Sequence, residues 1–360
     1  MTVWVRPLAL YWKGQLHIQV SVALRDGHLV EITEALIPEA LSLPGLLSLT
    51  CVNAHTHLEL SHLHLKIPPG LGMVAFLEAM GAGRGRASTE TIYRALAQAR
   101  QEGTTAFVPH QNTPLEPEAI PPGVVVYPLW EYFGLHPRLR RTRTLQAKKS
   151  GYPLTPHSLY ALSRGLHRIA RHPSPFPRSL HFYESWEEKL WLEERRGPFA
   201  GFLQKFHRRP YRPPLRKVLH RLARRAPALW LVHATETPTQ KLQRWLSEIP
   251  NLYVILCPLA NWHLFRRRPP LKALRPWTHR ILLGTDSLAN APTLSLWPTL
   301  RHLYQSGWPW EAILQAAVDN PRKWISPPLG WTLISPLSES LSLLPGTRAQ
   351  LWEPSPKSAP

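Results

Sequence analysis

Short apolar runs ending in a polar residue recur along the middle of this chain. They are LSLTCVNAHTH (47–57), GTTAFVPH (103–110), GVVVYPLWEYF (123–133), GYPLTPH (151–157), RSLHFYES (178–185), LWLVHATE (229–236), LYVILCPLAN (252–261) and RILLGTDS (280–287). Runs apolar on both faces read as buried parallel strands, not as half-solvated antiparallel ones. Helix-period segments fit between several of them: ETIYRALAQARQEG (90–103), SLYALSRGLHRIARH (158–172) and PTQKLQRWLSEI (238–249). The first stops at Gly103, a normal helix end. Eight strands alternating with helices predict an α/β chain with a (β/α)₈ TIM barrel over residues 47–326, whose active site lies at the strand C-terminal ends.

The flanks read differently. VWVRPLALYW, QLHIQVSVALRDG and HLVEITEAL are strand-like, with a turn at Arg25-Asp26-Gly27, and the tail offers GWTLISPLS, LSLLPGT and AQLWE. Residues 1–46 and 327–360 are therefore expected to pair as a small composite β-sandwich.

Candidate chemistry sits at the strand ends: His55 and His57, then His181, His233 and Asp286. In a strand, His55 and His57 point to the same side. Each piece also has a bland reading. With 18 histidines in 360 residues an H-x-H pair arises by chance roughly once, and His62-Leu63-His64 is a second. His181 and His233 alone read as hydrogen-bonded structural histidines, and Asp286 alone as a helix N-cap. Order, strand-end placement and chemical type together favour three imidazoles and a carboxylate around one cation.

Composition narrows the classes. A 44% hydrophobic content and 15 Trp argue against disorder, and two cysteines, Cys51 and Cys257, give neither a disulfide framework nor a thiolate zinc site. That suits a cytoplasmic setting. No secretory pattern opens the sequence, and no segment approaches the roughly 18 apolar residues a membrane span needs. The net charge of +20, with clusters at Arg138 to Arg143, Arg208 to Arg225 and Arg266 to Arg268, admits a nucleic-acid-binding reading. No recognisable nucleic-acid motif accompanies those clusters, so solvated surface and compositional bias account for them better.

The segments VNAHTHLELSH, LTPHSLYALS, HFYESWEE, LVHATE, CPLAN and LGTDSLAN together resemble the amidohydrolase superfamily, specifically its metal-dependent nucleoside and nucleobase deaminases, over about residues 46–326. KIPPGLGMVAFLEAM (66–80) is most similar to the aminodeoxyfutalosine deaminase branch. The resemblance implies a hydrolytic deaminase of an adenine-type nucleoside, 6-amino-6-deoxyfutalosine of menaquinone biosynthesis; guanine, cytosine, a triazine or another adenosine derivative is the alternative substrate. It implies metal ligands His55, His57, His181 and Asp286, a proton carrier at Glu184, water or substrate polarisation by His233, and a substrate-facing His157. The fourth strand has no Lys for carbamylation, so one divalent ion is expected: Zn²⁺ by default, Fe²⁺ or Mn²⁺ also suiting the donors. Dimers are common in the superfamily. Glu78 and Glu131 are weaker candidates for substrate contacts, with salt-bridged structural carboxylates as the alternative. Glu59 and His62 are candidates to orient the first imidazoles. The chain reads His233-Ala234-Thr235 where relatives often have His-Asn-Thr, and Cys257-Pro258-Leu259-Ala260-Asn261 where Cys-Pro-x-Ser-Asn is commoner, which bears on pocket shape.

Overall fold

A computed structural model describes residues 2–64, 66–82, 85–132, 146, 149–161, 172–205 and 214–354. The chain opens with strands β1 (Thr2–Trp12), β2 (Gln15–Ile18), β3 (Ser21–Arg25), β4 (His28–Thr33) and β5 (Leu41–Leu49). β3 and β4 form the expected hairpin, with Asp26 at φ +51 and Gly27 at φ +78 supplying the left-handed backbone a tight hairpin turn requires. β1 runs antiparallel to β2 and β3 and parallel to β5.

The run read as one strand over 47–57 is in fact two. It breaks at Thr50, and β6 (Cys51–Thr56) leaves for another sheet. The cause is non-local: Thr50 N–H donates to the Gly330 carbonyl while Cys51 N–H donates to that of Gly103, so the hydrogen-bond partners change between adjacent residues.

From β6 to β14 (Ile281–Leu283) the architecture is mixed α/β, with parallel pairing throughout. β6, β7 (Thr104–Gln111), β8 (Val125–Val126), β9 (Leu129–Tyr132) and β10 (Leu154–Pro156) make one sheet; β11 (Arg178–Phe182), β12 (Leu229–His233), β13 (Leu252–Leu256) and β14 (Ile281–Leu283) make a second. The expected strand over 123–133 is interrupted at Tyr127 and Pro128, where proline cannot donate to the ladder. The run over 252–261 ends at Leu256, because Pro258 opens a helix, Pro258–Phe265, in the first-turn position proline tolerates. The helix expected over 90–103 spans Thr89–Gln101, capped by Ser88, whose hydroxyl accepts from Thr91 N–H. Thr239–Glu248 is the helix expected over 238–249. Most of the helix expected over 158–172, and the basic stretches 138–143 and 208–213, lie outside the described residues.

The two parallel sheets abut at both edges. Single parallel bridges join Thr56 to Asp286 and Ser158 to His181 without extending the ladders. At the first seam Gly284 allows the close approach, since a Cβ there would stand 2.9 Å from both Cβ and carbonyl O of His55 and 3.0 Å from Cys257 Sγ. Beneath the strand ends, Val52, Ala54, Val108, Trp230, Val232, Ile255 and Leu282 pack into a buried cluster, which explains why these strands carry no alternating polar face.

The chain ends in β15 (Trp331–Leu337) and β16 (Leu343–Trp352), antiparallel to each other, with β15 antiparallel to β5. The tail segments read as LSLLPGT and AQLWE form one strand, not two. Both termini therefore meet as expected, in a single hydrogen-bonded sheet ordered β16-β15-β5-β1-β3-β4 with β2 beside β1. That is only part of the expected sandwich. Among the described residues no helix is long and apolar enough to cross a membrane.

Candidate functional site

The seams bring the C-terminal ends of β6, β11, β12 and β14 together, and their polar side chains converge. His55 is fully buried; His57, His181, Glu184 and Asp286 are nearly so. His57 Nε2 lies 3.3 Å from His181 Nε2 and 3.5 Å from Asp286 Oδ1, with His55 Nε2 3.6 Å from the same oxygen. His233 Nε2 stands 3.5 Å from Glu184 Oε1 and 4.0 Å from Asp286 Oδ2. Asp286 is no helix N-cap: it sits in a bridge between strands, and the next described helix begins at Trp297.

The hydrogen bonds around the cluster fix which nitrogens hold protons. His181 Nδ1 lies 3.0 Å from the His157 carbonyl, which can only accept, so Nδ1 carries the proton and Nε2 presents a lone pair toward His57. Asn290 Nδ2 donates to Asp286 Oδ2 at 2.7 Å and fixes that carboxylate. His233 Nδ1 faces Asn261 Oδ1 at 3.4 Å and donates to it, leaving Nε2 to accept. Among the described residues, His55 Nε2 and His233 Nε2 are buried without a hydrogen-bond partner. Imidazole lone pairs gathered about a carboxylate, with orphaned nitrogens among them, form a donor set that fits a divalent cation.

Electrostatics agree with that chemistry. Burial disfavours imidazolium, holding His55 and His181 well below the usual histidine value and His157 and His233 at about 4, so these rings are neutral at pH 7, as metal ligation requires. Burial alone would raise Asp286, but the contact with His55 and the neighbouring His233 and His57 outweigh it and hold the carboxylate below its ordinary range. Glu184 goes the other way: burial first, then the neighbouring carboxyls of Asp286 and Glu188, push it well above the usual carboxyl value. Two nearby carboxyls with opposite shifts can take and give a proton at one pH. The backbone is also unusual, with Tyr183 at φ +48, His233 at +72, Ala234 at +50 and Asp286 at +64. Left-handed conformations at non-glycine residues cost on the order of 1 kcal/mol or more each and gather at functional sites.

The remaining candidates divide. His157 stacks on His181, ring centroids 4.5 Å apart, and is partly exposed beside the cluster. Glu131, 1% exposed, lies among histidines rather than at an open surface: Oε1 accepts from His110 Nδ1 at 2.8 Å and is 3.6 Å from His181 Nδ1. Glu78 is not brought to the cluster; its carboxylate, half exposed on the helix Met73–Ala82, pairs with Lys205. Glu59 holds the loop after β7, accepting from Asn112 N–H and Thr113 Oγ1, and His62 contacts the Glu59 carbonyl. The residue that sequence reasoning missed is His110, which lies with His55, His57 and His181. Its signal was the same as theirs, a histidine ending an apolar strand. Asn290 was equally legible in LGTDSLAN, four residues after Asp286.

No family model matches the chain. A curated relative, adenosine deaminase of Helicobacter pylori, is 25% identical over 181 residues, 49% of this chain and 44% of that protein, so the match spans under half the relative's length. The crystal structure of Helicobacter pylori aminofutalosine deaminase in complex with methylthio-coformycin superimposes with a TM-score of 0.72 at 18% identity, covering 94% of both chains. An adenosine deaminase from Xanthomonas campestris with bound Zn gives 0.63 at 16% identity over 92% of this chain and 84% of that one. Both of these structures are of deaminases, and the chain shares their fold.

Proposed function

We propose that this chain is a divalent-cation-dependent hydrolytic deaminase of an adenine-type nucleoside, with 6-amino-6-deoxyfutalosine as its substrate. One observation carries the reading: His57 Nε2 and His181 Nε2 stand 3.3 Å apart, beside an Asp286 oxygen 3.5 Å from His57, with Glu184 and His233 paired on the same rim. The neighbour that holds methylthio-coformycin supports a nucleoside-type substrate, and the one that holds Zn supports a zinc-type ion. In this reading the two abutting parallel sheets are the halves of one (β/α)₈ barrel over residues 47–326. The terminal strands form a separate small β-domain.

A divalent cation held by His55, His57, His181 and Asp286 would supply Lewis acidity, lowering the pKa of a water molecule from about 15.7 to about 7. The protein supplies the proton traffic. Asp286, anionic, takes the proton that the attacking water gives up. Glu184, kept protonated by burial, donates to the ring nitrogen beside the carbon bearing the amino group. A C–O bond forms there, the C–N bond breaks, the proton taken by Asp286 leaves with the amine as ammonia, and the remaining hydroxyl proton returns to Glu184 as the carbonyl forms. His233 presents an unprotonated Nε2 in its present tautomer, so it orients the water by accepting its O–H; it holds a developing negative charge only after gaining a proton. In this reading His157 faces the substrate, which its stacking on His181 and its partial exposure support.

Metal analysis and an ammonia-release assay over purine bases and nucleosides test this directly. About one equivalent of transition metal and preferential release from an adenine-type nucleoside are expected. Less than about 0.2 equivalents after reconstitution overturns the reading, and turnover confined to guanine or a triazine overturns the substrate.

A further inference from the structure

His110 ends β7, on the strand adjacent to the one carrying His55 and His57. It is fully buried, and its Nδ1 lies 2.8 Å from Glu131 Oε1. A carboxylate accepts, so Nδ1 holds the ring proton and Nε2 is left with a lone pair. Among the described residues that Nε2 is buried without a hydrogen-bond partner, although leaving a polar atom unsatisfied in such a place is costly. The ring meets His55 edge-on at 4.3 Å between centroids, and one nitrogen from each of His55, His57, His110 and His181 lies within 4.8 Å of all the others.

We infer that His110 is a further ligand of the cation centre, contributing Nε2, and that Glu131 is the residue that aims it. The inference rests on the metal-dependent reading above. It extends that reading by a fourth imidazole and assigns Glu131 to holding a ligand instead of touching substrate. A carboxylate that accepts from the far nitrogen of a ligating histidine fixes both its tautomer and its ring orientation. The other grouping of donors here, Glu131 with His157 and His181, does not make a second cation site. His181 Nδ1 carries the proton it donates to the His157 carbonyl, and Glu131 Oε1 already accepts from His110. The protons on that side point away from the shared centre, and the lone pairs point into it.

The test uses the full-length protein stripped of metal, with Zn²⁺ affinity measured by competition against a chromophoric chelator and the visible absorption of the Co²⁺-loaded form as a second readout. His110→Ala is expected to weaken Zn²⁺ binding by at least about 10-fold and to change the Co²⁺ spectrum. Glu131→Gln, which keeps the imidazole but loses its anionic acceptor, should cost about 10–100-fold. His110→Gln preserves bulk and a donor to Glu131, and carries the test should the alanine variant not fold. If both His110 variants bind Zn²⁺ as the unsubstituted protein does, with an unchanged Co²⁺ spectrum, while His181→Ala loses the metal, the inference is overturned and the catalytic reading survives. If His181→Ala also keeps full affinity, both fall.

Discussion

Glu188 offers a test of the site's electrostatics that needs no substrate. Its carboxyl is fully buried in the first turn of the helix Trp186–Glu194; Oε2 accepts from Glu184 N–H at 2.8 Å while Oε1 has no hydrogen-bond partner among the described residues. Burial pushes it up to about 8, with only backbone N–H groups of Glu184 and Tyr183 opposing. A carboxyl raised in the folded state holds its proton there after the unfolded chain has lost it. Stability is therefore fully present below pH 4.5 and is lost as pH climbs toward 8, at about 1.4 kcal/mol per pH unit. Glu188→Gln keeps the shape and an oxygen for Glu184 N–H but removes the titration. Between pH 5 and 7 the wild-type protein should lose about 2.7 kcal/mol relative to the variant, which for a chain of 360 residues is about 3–4 °C in the difference of melting temperatures. Parallel melts of the two proteins, matched in metal content, report that difference while other titrating groups cancel. A flat difference curve, or a variant that loses ground as pH rises, refutes the claim that burial keeps this carboxyl protonated.

Glu184→Gln should lower kcat by about 10²–10⁴-fold, some 3–5 kcal/mol, with bound metal unchanged; a variant near full rate removes Glu184 from proton transfer. Gly284→Ala drives a methyl to 2.9 Å from His55 Cβ and O, so melting should fall by about 1–4 °C and metal affinity with it. A wild-type melting curve and affinity would show that the seam has slack. Asn290→Ala removes the 2.7 Å donor to Asp286 Oδ2 and should weaken metal binding by about 10–100-fold in chelator competition; undiminished affinity means that Asp286 holds its orientation without it.

How far the site was legible follows from which forces are local. His55 and His57 share a side by strand period alone, and His181 and His233 were marked because an apolar run ended on each, so the cluster's members could be named before its geometry was known. His110 was legible by the same signal, because Phe107-Val108-Pro109-His110 carries the same pattern. Other features had no local signal. The break at Thr50 depends on Gly330 and Gly103, residues 280 and 53 positions away, and both halves of the run are equally apolar. His233 and Asp286 adopt left-handed backbone that residue type would assign to glycine or asparagine, so the turn that aims each side chain was invisible.

The carboxylates make the sharper case. Glu78, Glu131 and Glu184 all follow or accompany apolar residues, and composition gives them the same standing. What separates them is the surroundings their backbones carry them into: solvent and Lys205 for Glu78, His110 and His181 for Glu131, His233 and Asp286 for Glu184. A carboxyl beside neutral imidazole N–H groups is stabilised as an anion, whereas one desolvated beside other acids keeps its proton. One is thereby suited to hold a ligand and the other to donate. The sequence specifies the residue type, but only the strand pairing that closes the cluster decides which of these two chemistries the residue performs.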